Sequence, residues 1–126
     1  MMLKSYMAAS VASENFPSDK HLTLSFCDLK ATSKFSMKTM MNLFPCKGFV
    51  VDVVYWSKPD VTVALVASEN IIKAHEYCQS VGFDYNHEFN PHITLDRGNK
   101  TEMFSHLICS EVEFDDVYLR QKDFEK

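Results

Sequence analysis

Two short segments with the same pattern, His21-Leu22-Thr23-Leu24 and His92-Ile93-Thr94-Leu95, constrain the fold of this chain more than any other feature. Polar and apolar residues alternate in both segments, and side chains at positions i and i+2 of a β-strand share one face. Each segment therefore predicts a strand with a histidine and a threonine on one face and two aliphatic residues on the other. Because the aliphatic face would pack in the core, we expect the His–Thr face to line a cleft.

The rest of the chain predicts an α+β fold. The residue patterns indicate strands at 5–11, 20–27, 49–56, 61–66, 91–96 and 111–119, and helices at 32–43, 69–81 and 101–107. Thr32 or Ser33 is expected to cap the first helix, and Ser68 the second, which Gly82 would end. The polar tail at 120–126 is expected to be exposed.

The two halves of the chain resemble each other. After each His-x-Thr segment and the helix that follows it, the next strand has an Asp-x-Val-Tyr pattern, which begins at Asp52 and again at Asp115. A further aspartate follows eight positions later in both strands. This repeat predicts a single domain over 1–126, made of two pseudo-symmetric β-α-β-type lobes at about 1–60 and 61–126. Antiparallel sheets of the two lobes would line a central cleft, where the two His–Thr faces meet.

Composition restricts the classes of partner. The formal net charge is −4 and the sequence has no basic run, whereas binding to a long nucleic acid depends on many Lys and Arg side chains.

No apolar run approaches the roughly 20 residues of a membrane span, and the start of the chain does not resemble a secretory signal. The four cysteines (Cys27, Cys46, Cys78 and Cys109) form no Cys-x-x-Cys pair. We therefore expect reduced thiols in the core, a cytoplasmic location and a small-molecule ligand.

Two histidines and two threonines on facing strands suit phosphoester chemistry. Histidine titrates near neutral pH, so one imidazole can accept a proton while the other donates one. Threonine hydroxyls can donate hydrogen bonds to the non-bridging oxygens of a phosphate, where charge develops during the reaction. A single His-x-Thr motif is more often structural, but two copies in matching lobes favour a catalytic site. This chemistry needs no metal, and the spacing of His75, Cys78, His87 and His92 is not that of a zinc site.

With both motifs and the proline at position 91, the sequence resembles the 2H phosphoesterase superfamily over most of its length. The resemblance implies a LigT-like fold, an acid–base pair made of His21 and His92, phosphate ligands in Thr23 and Thr94, and no cofactor. The segment 66–96 is most similar to the small phage members that degrade the cyclic oligonucleotide signals of CBASS immunity. The implied reaction is cleavage of 3′-5′ phosphodiester bonds, in the host cytoplasm if the chain is encoded by a phage.

Two further aromatic residues are candidates for substrate binding. Trp56 could stack on a nucleobase, and Tyr6 could reach the phosphate or sugar from the first strand, although both could equally serve in packing. Tyr55 and Tyr118 recur in both halves and are interpreted as structural. The expected ligand is a cyclic oligonucleotide or a cyclic-phosphate nucleotide, with no long nucleic acid or membrane as partner and protein partners left open. The alternatives are an RNA-end 2′,3′-cyclic phosphodiesterase and a protein that binds a nucleotide without cleaving it.

Overall fold

The computed structural model describes residues 3–27, 35–83 and 88–123. Strands are the most common element of the described chain, and their succession along it agrees with the sequence prediction. The elements are β1 (Leu3–Val11), β2 (His21–Cys27), α1 (Met37–Met41), β3 (Cys46–Trp56), β4 (Val61–Ala67), α2 (Glu69–Ser80), β5 (His92–Arg97), α3 (Thr101–Phe104), a 3₁₀ helix (Ser105–Leu107) and β6 (Glu111–Asp123).

The six strands form one closed antiparallel barrel in the order β1-β2-β5-β4-β3-β6. The prediction of antiparallel strands in an α+β fold is confirmed, but the two separate sheets that we expected are joined into a single barrel. Exchanging β1 with β4, β2 with β5 and β3 with β6 leaves this cyclic order unchanged. The strand order is thus compatible with a duplication, while the two lobes as structural units remain a prediction.

The helices pack on the outside of the barrel. The main core cluster joins Met40 of α1 and Ile71, Ala74 and Cys78 of α2 to strand residues such as Leu22, all of which are buried. Helices that pack on a closed barrel lie outside it, so the strand residues in this cluster point outward. The alternate residues of each strand therefore point into the barrel, away from the helices.

The helix boundaries follow from local capping. The Ser68 side chain accepts a hydrogen bond from the backbone N–H of Ile71 and donates one to the carbonyl of Lys47, so it fixes the start of α2 against β3. The first helix is shorter than predicted, because the side chain of Ser36 caps it by accepting from the N–H of Thr39. The predicted caps Thr32 and Ser33 lie outside the described residues.

Residues 120–123 belong to a strand and do not form a free tail. Strand β6 continues to Asp123, and it pairs with β1 from Phe114 opposite Val11 to Asp123 opposite Leu3. The prediction that the strand ends at position 119 is wrong, because polar residues are tolerated in a strand that a neighbour covers with backbone hydrogen bonds. Arg120 therefore has a fixed place in the barrel, opposite Tyr6.

The cysteines agree only in part with the prediction of core thiols. Cys46 and Cys78 are buried and form no disulfide, whereas Cys109 is exposed. Cys109 lies in the short turn before β6 with a positive φ of 71°, and this turn keeps its side chain out of the core. Within the described ranges, no helix is long and apolar enough to cross a membrane.

Candidate active site

The inner face of the barrel carries both His-x-Thr motifs. The aliphatic residues of both motifs are almost completely buried in the core that lies between the barrel and the helices. They are Leu22, Leu24, Ile93 and Leu95. His21, Thr23 and His92 are partly exposed on the opposite face, and Thr94 is exposed there. The alternation predicted from the two segments is therefore present, and it separates a structural face from a polar one.

The two motifs lie on neighbouring strands. Strands β2 and β5 are antiparallel, and Leu22 lies opposite Ile93. Extending this register by one residue in each direction sets His21 opposite Thr94 and Thr23 opposite His92. The two histidines thus occupy one diagonal of a four-residue cluster and the two threonines the other. The expectation of motifs facing each other across a groove between two sheets is replaced by motifs side by side within one barrel.

A β-bulge follows each motif. Ala8 pairs with Thr23 and Met7 with Ser25, so Leu24 is an extra residue in β2. Val63 pairs with Thr94 and Thr62 with Asp96, so Leu95 is likewise an extra residue in β5. Bulges bend a strand, increase its twist and re-aim the adjacent side chains, and they are common next to active sites.

The surroundings of His92 fix which ring nitrogen is available. Its Nδ1 lies 2.8 Å from the carbonyl oxygen of Asn90. A carbonyl can only accept, so Nδ1 carries a proton and donates it to this oxygen. In the neutral ring Nε2 is then the basic nitrogen. The indole of Trp56 approaches the imidazole edge-on, with ring centroids 4.6 Å apart.

The surroundings of His21 are different. The ring of Tyr6 lies beside the His21 imidazole with centroids 5.7 Å apart, and Tyr6 is buried. A pocket of about 510 Å³ also borders His21. The residues that line it are Ser10, Asp19, Lys20, His21, Tyr118 and Arg120.

This arrangement provides the groups that an acid–base cleavage of a phosphodiester requires. Two imidazoles on one diagonal can act on the attacking and leaving oxygens of a phosphorus centre between them. Two hydroxyls on the other diagonal can donate to its non-bridging oxygens. All six candidates from the sequence, His21, Thr23, His92, Thr94, Tyr6 and Trp56, lie on the inner face, but their roles remain predictions.

No known family model matches the sequence, and no curated protein is detectably similar to it. Solved structures give clear matches. A crystal structure of a phosphoesterase superposes over 100% of this chain and 91% of its own, with a TM-score of 0.56 and 16% sequence identity. E. coli LigT complexed with 3′-AMP matches over 98% of this chain and 90% of its own, with a TM-score of 0.55 and 18% identity. The chain has a LigT-like fold.

The sequence analysis did not identify two polar residues that line the inside of this LigT-like barrel, Tyr118 and Arg120. Tyr118 and Arg120 face the interior, since they pair with Ala8 and Tyr6 across β1. The internal repeat equated Tyr118 with Tyr55, but Tyr55 points outward and donates a hydrogen bond to Asp60. Because side chains alternate, a one-residue difference in register reverses the face.

Two ionisable groups near the site have shifted pKa values. Burial raises the pKa of Tyr118, and its neighbour Tyr6 adds to this effect while Arg120 opposes it, so its hydroxyl stays protonated at neutral pH. A hydrogen bond from the Lys100 ammonium and another from the backbone N–H of Arg97 lower the pKa of Asp96. The Lys100 ammonium also forms a salt bridge with the Asp96 carboxylate, at 2.9 Å.

Among the described residues, the histidines outside the two motifs are His75 and His106. His75 is on α2, stacked on Phe89 with ring centroids 3.8 Å apart, and its Nδ1 lies 2.6 Å from the carbonyl oxygen of Leu24. His87 lies outside the described residues. Among the residues that the structure describes, no group of three His, Cys, Asp or Glu side chains could hold a metal ion.

Proposed function

We propose that this chain is a 2H-type phosphodiesterase that cleaves 3′-5′ phosphodiester bonds of small cyclic oligonucleotides by metal-independent acid–base catalysis. The observation that carries the proposal is the cluster of His21, Thr23, His92 and Thr94 around the Leu22–Ile93 pair of adjacent strands. Two imidazoles and two hydroxyls on the same inner face match the needs of phosphoryl transfer better than those of a structural cluster. The LigT-like fold supports this class of reaction.

The proposed reaction has two steps. One histidine removes the proton from a ribose 2′-OH, and the oxygen attacks the adjacent phosphorus while the other histidine protonates the departing 5′ oxygen. The product is a linear nucleotide that ends in a 2′,3′-cyclic phosphate. In the second step, the histidine that acted as the acid removes a proton from water, and the water oxygen attacks the cyclic phosphate. The bond from phosphorus to the 2′ oxygen breaks, the other histidine protonates that oxygen, and the product ends in a 3′-phosphate. Thr23 and Thr94 donate hydrogen bonds to the non-bridging oxygens in both steps.

Several features support a small nucleotide as substrate. The net charge of −4 disfavours a long nucleic acid, because that class of ligand is held by many cationic contacts. Trp56 presents an aromatic ring beside His92, where a nucleobase could stack. A structural neighbour, LigT, was solved with 3′-AMP, a ligand of similar chemistry. The biological role we propose is degradation of CBASS signals during phage infection.

The proposal is tested with the full chain in EDTA, incubated separately with 3′,3′-cyclic GMP-AMP and with an RNA oligonucleotide ending in a 2′,3′-cyclic phosphate. Chromatography with mass detection should show the cyclic dinucleotide opening to a linear product at a rate that EDTA does not change. If only the RNA oligonucleotide were turned over, the protein would be an RNA-end 2′,3′-cyclic phosphodiesterase, and the cyclic dinucleotide would not be its substrate. Tight binding of the cyclic dinucleotide without turnover would indicate a sequestering protein, and a requirement for added divalent metal would contradict metal independence.

A further inference from the structure

The pocket beside His21 has a composition that the two His-x-Thr motifs do not explain. It has a volume of about 510 Å³, within the range of small-molecule sites. Two of its lining residues, Lys20 and Arg120, are cationic, and Ser10 and Tyr118 contribute hydroxyl groups. Asp19 is the acidic residue among them. In a protein with a net charge of −4, a pocket with two cations and one carboxylate is a local reversal of charge.

The two cations are available to a ligand. The salt bridges among the described residues use Lys47, Lys73 and Lys100 as their cations, so Arg120 and Lys20 form no salt bridge within the described part of the chain. The charge of Lys20 acts on the Asp96 carboxylate only from a longer distance, and it is the weakest of the effects that lower the pKa of Asp96. The guanidinium carbon of Arg120 lies 5.2 Å from the centre of the Tyr118 ring. This cation–π contact holds the guanidinium in the pocket and leaves its N–H groups free to donate.

The two histidines therefore have unlike neighbourhoods. An aromatic ring, that of Trp56, lies against His92, whereas a cationic pocket lies against His21. Thr23 and Thr94 already supply donors for the phosphate that reacts. Lys20, which directly precedes β2, and Arg120 of β6 are thus available for an anionic group other than the reacting one.

Building on the proposed function, we propose that Arg120, assisted by Lys20, binds a second phosphate of the substrate, next to the one that is cleaved. A guanidinium is suited to this task because its fork of N–H groups matches two phosphate oxygens. Tyr118 positions Arg120 through its ring. This subsite favours nucleotides that carry at least two phosphates, as cyclic dinucleotides do, over nucleotides with one.

The test uses binding, so that it does not depend on turnover. Calorimetry on the full chain compares 3′-AMP, which has one phosphate, with adenosine 3′,5′-bisphosphate, which has two. The wild type should bind the bisphosphate about tenfold to a hundredfold more tightly, as expected for hydrogen bonds between charged partners. Arg120→Met should lose most of this advantage with little change in the affinity for 3′-AMP, and Arg120→Lys should retain part of it.

The matched control is Lys73→Met, which removes one positive charge from the outside of the barrel on α2 and should keep the full advantage of the bisphosphate. Lys20→Met provides a second variant in case Arg120→Met does not fold, and it should lose part of the advantage. The subsite would be overturned if the wild type bound the two ligands equally or bound neither. It would also be overturned if Arg120→Met and Lys20→Met both kept the full preference for the bisphosphate. Turnover of a cyclic dinucleotide by the wild type would still uphold the proposed function in those cases.

Discussion

Leu22 lies directly opposite Ile93 where β2 pairs with β5, and both side chains are completely buried. This pair sets the register of the two strands that carry the motifs, and the His-x-Thr residues on either side of it point to the other face. The outward residues can therefore be altered to change stability and the inward residues to change activity. The following predictions use this separation.

Replacing either inward threonine with valine should slow the reaction and leave the fold intact. Valine has nearly the shape of threonine but no hydroxyl, so Thr23→Val and Thr94→Val each remove one donor to the phosphate. We expect kcat to fall by about 10²–10³ for each, the usual cost of losing one such donor. Thr39→Val, on the exposed surface of α1, is the control and should react normally. A kcat unchanged by both inward substitutions would exclude the threonines from the reaction.

Truncating the buried leucine one position away should have the opposite effect. Leu22→Ala leaves a cavity in the core between β2 and the helices. We expect this cavity to lower the free energy of unfolding by about 2–5 kcal/mol. Urea denaturation, followed by circular dichroism, measures this loss. Thr23→Val should shift the midpoint far less. A midpoint for Leu22→Ala equal to that of the wild type would contradict the burial of the Leu22–Ile93 pair.

Trp56 should contribute to substrate affinity through stacking. Loss of one base–aromatic stack costs about 1–3 kcal/mol, so Trp56→Ala should raise KM by about tenfold or more, while Trp56→Phe keeps most of the affinity. Because Trp56 is the single tryptophan, its fluorescence should also change when nucleotide binds to the wild type. Tyr55→Phe, on the adjacent outward-facing residue, should leave KM unaltered. A normal KM for Trp56→Ala would assign the indole to packing alone.

The neutral form of His92 should be the tautomer protonated at Nδ1. The Asn90 carbonyl accepts from this nitrogen at 2.8 Å, which leaves Nε2 to exchange protons with the substrate. Two-dimensional ¹⁵N–¹H correlation spectra of the imidazole, recorded with the ring neutral, distinguish the two tautomers. Detection of the proton on Nε2 would mean that the Asn90 contact does not set the tautomer.

The succession of strands along the chain and the polar and apolar faces of both motifs could be predicted, because alternation with period two is a local property of the sequence. The alternation in 21–24 and 92–95 is enough to place Leu22 in the core and Thr23 on the polar face. The boundaries of α2 were predicted almost to the residue, since Ser68 marks its start and no tertiary contact is needed to recognise a cap.

Closure of the barrel and the lining of the pocket could not be predicted, because both depend on pairing between distant strands. The polar end of β6 resembles a free tail until its pairing with β1 is known. Tyr118 was compared with Tyr55 through a sequence repeat, and this comparison ignores the bulges that change which face a residue occupies. Bulges such as those at Leu24 and Leu95 leave no clear mark in a single sequence, although they re-aim the residues of the site.

The paired action of His21 and His92 is the central claim, and it is measured most directly by the rate of 3′,3′-cyclic GMP-AMP cleavage in EDTA by His21→Ala and His92→Ala. Each substitution removes one partner of the acid–base pair, so we expect each to lower kcat by about 10²–10⁴. His106→Ala is the control, since His106 is an exposed residue of the 3₁₀ helix, and it should retain wild-type activity. Near-wild-type cleavage by either His21→Ala or His92→Ala would contradict a two-histidine mechanism.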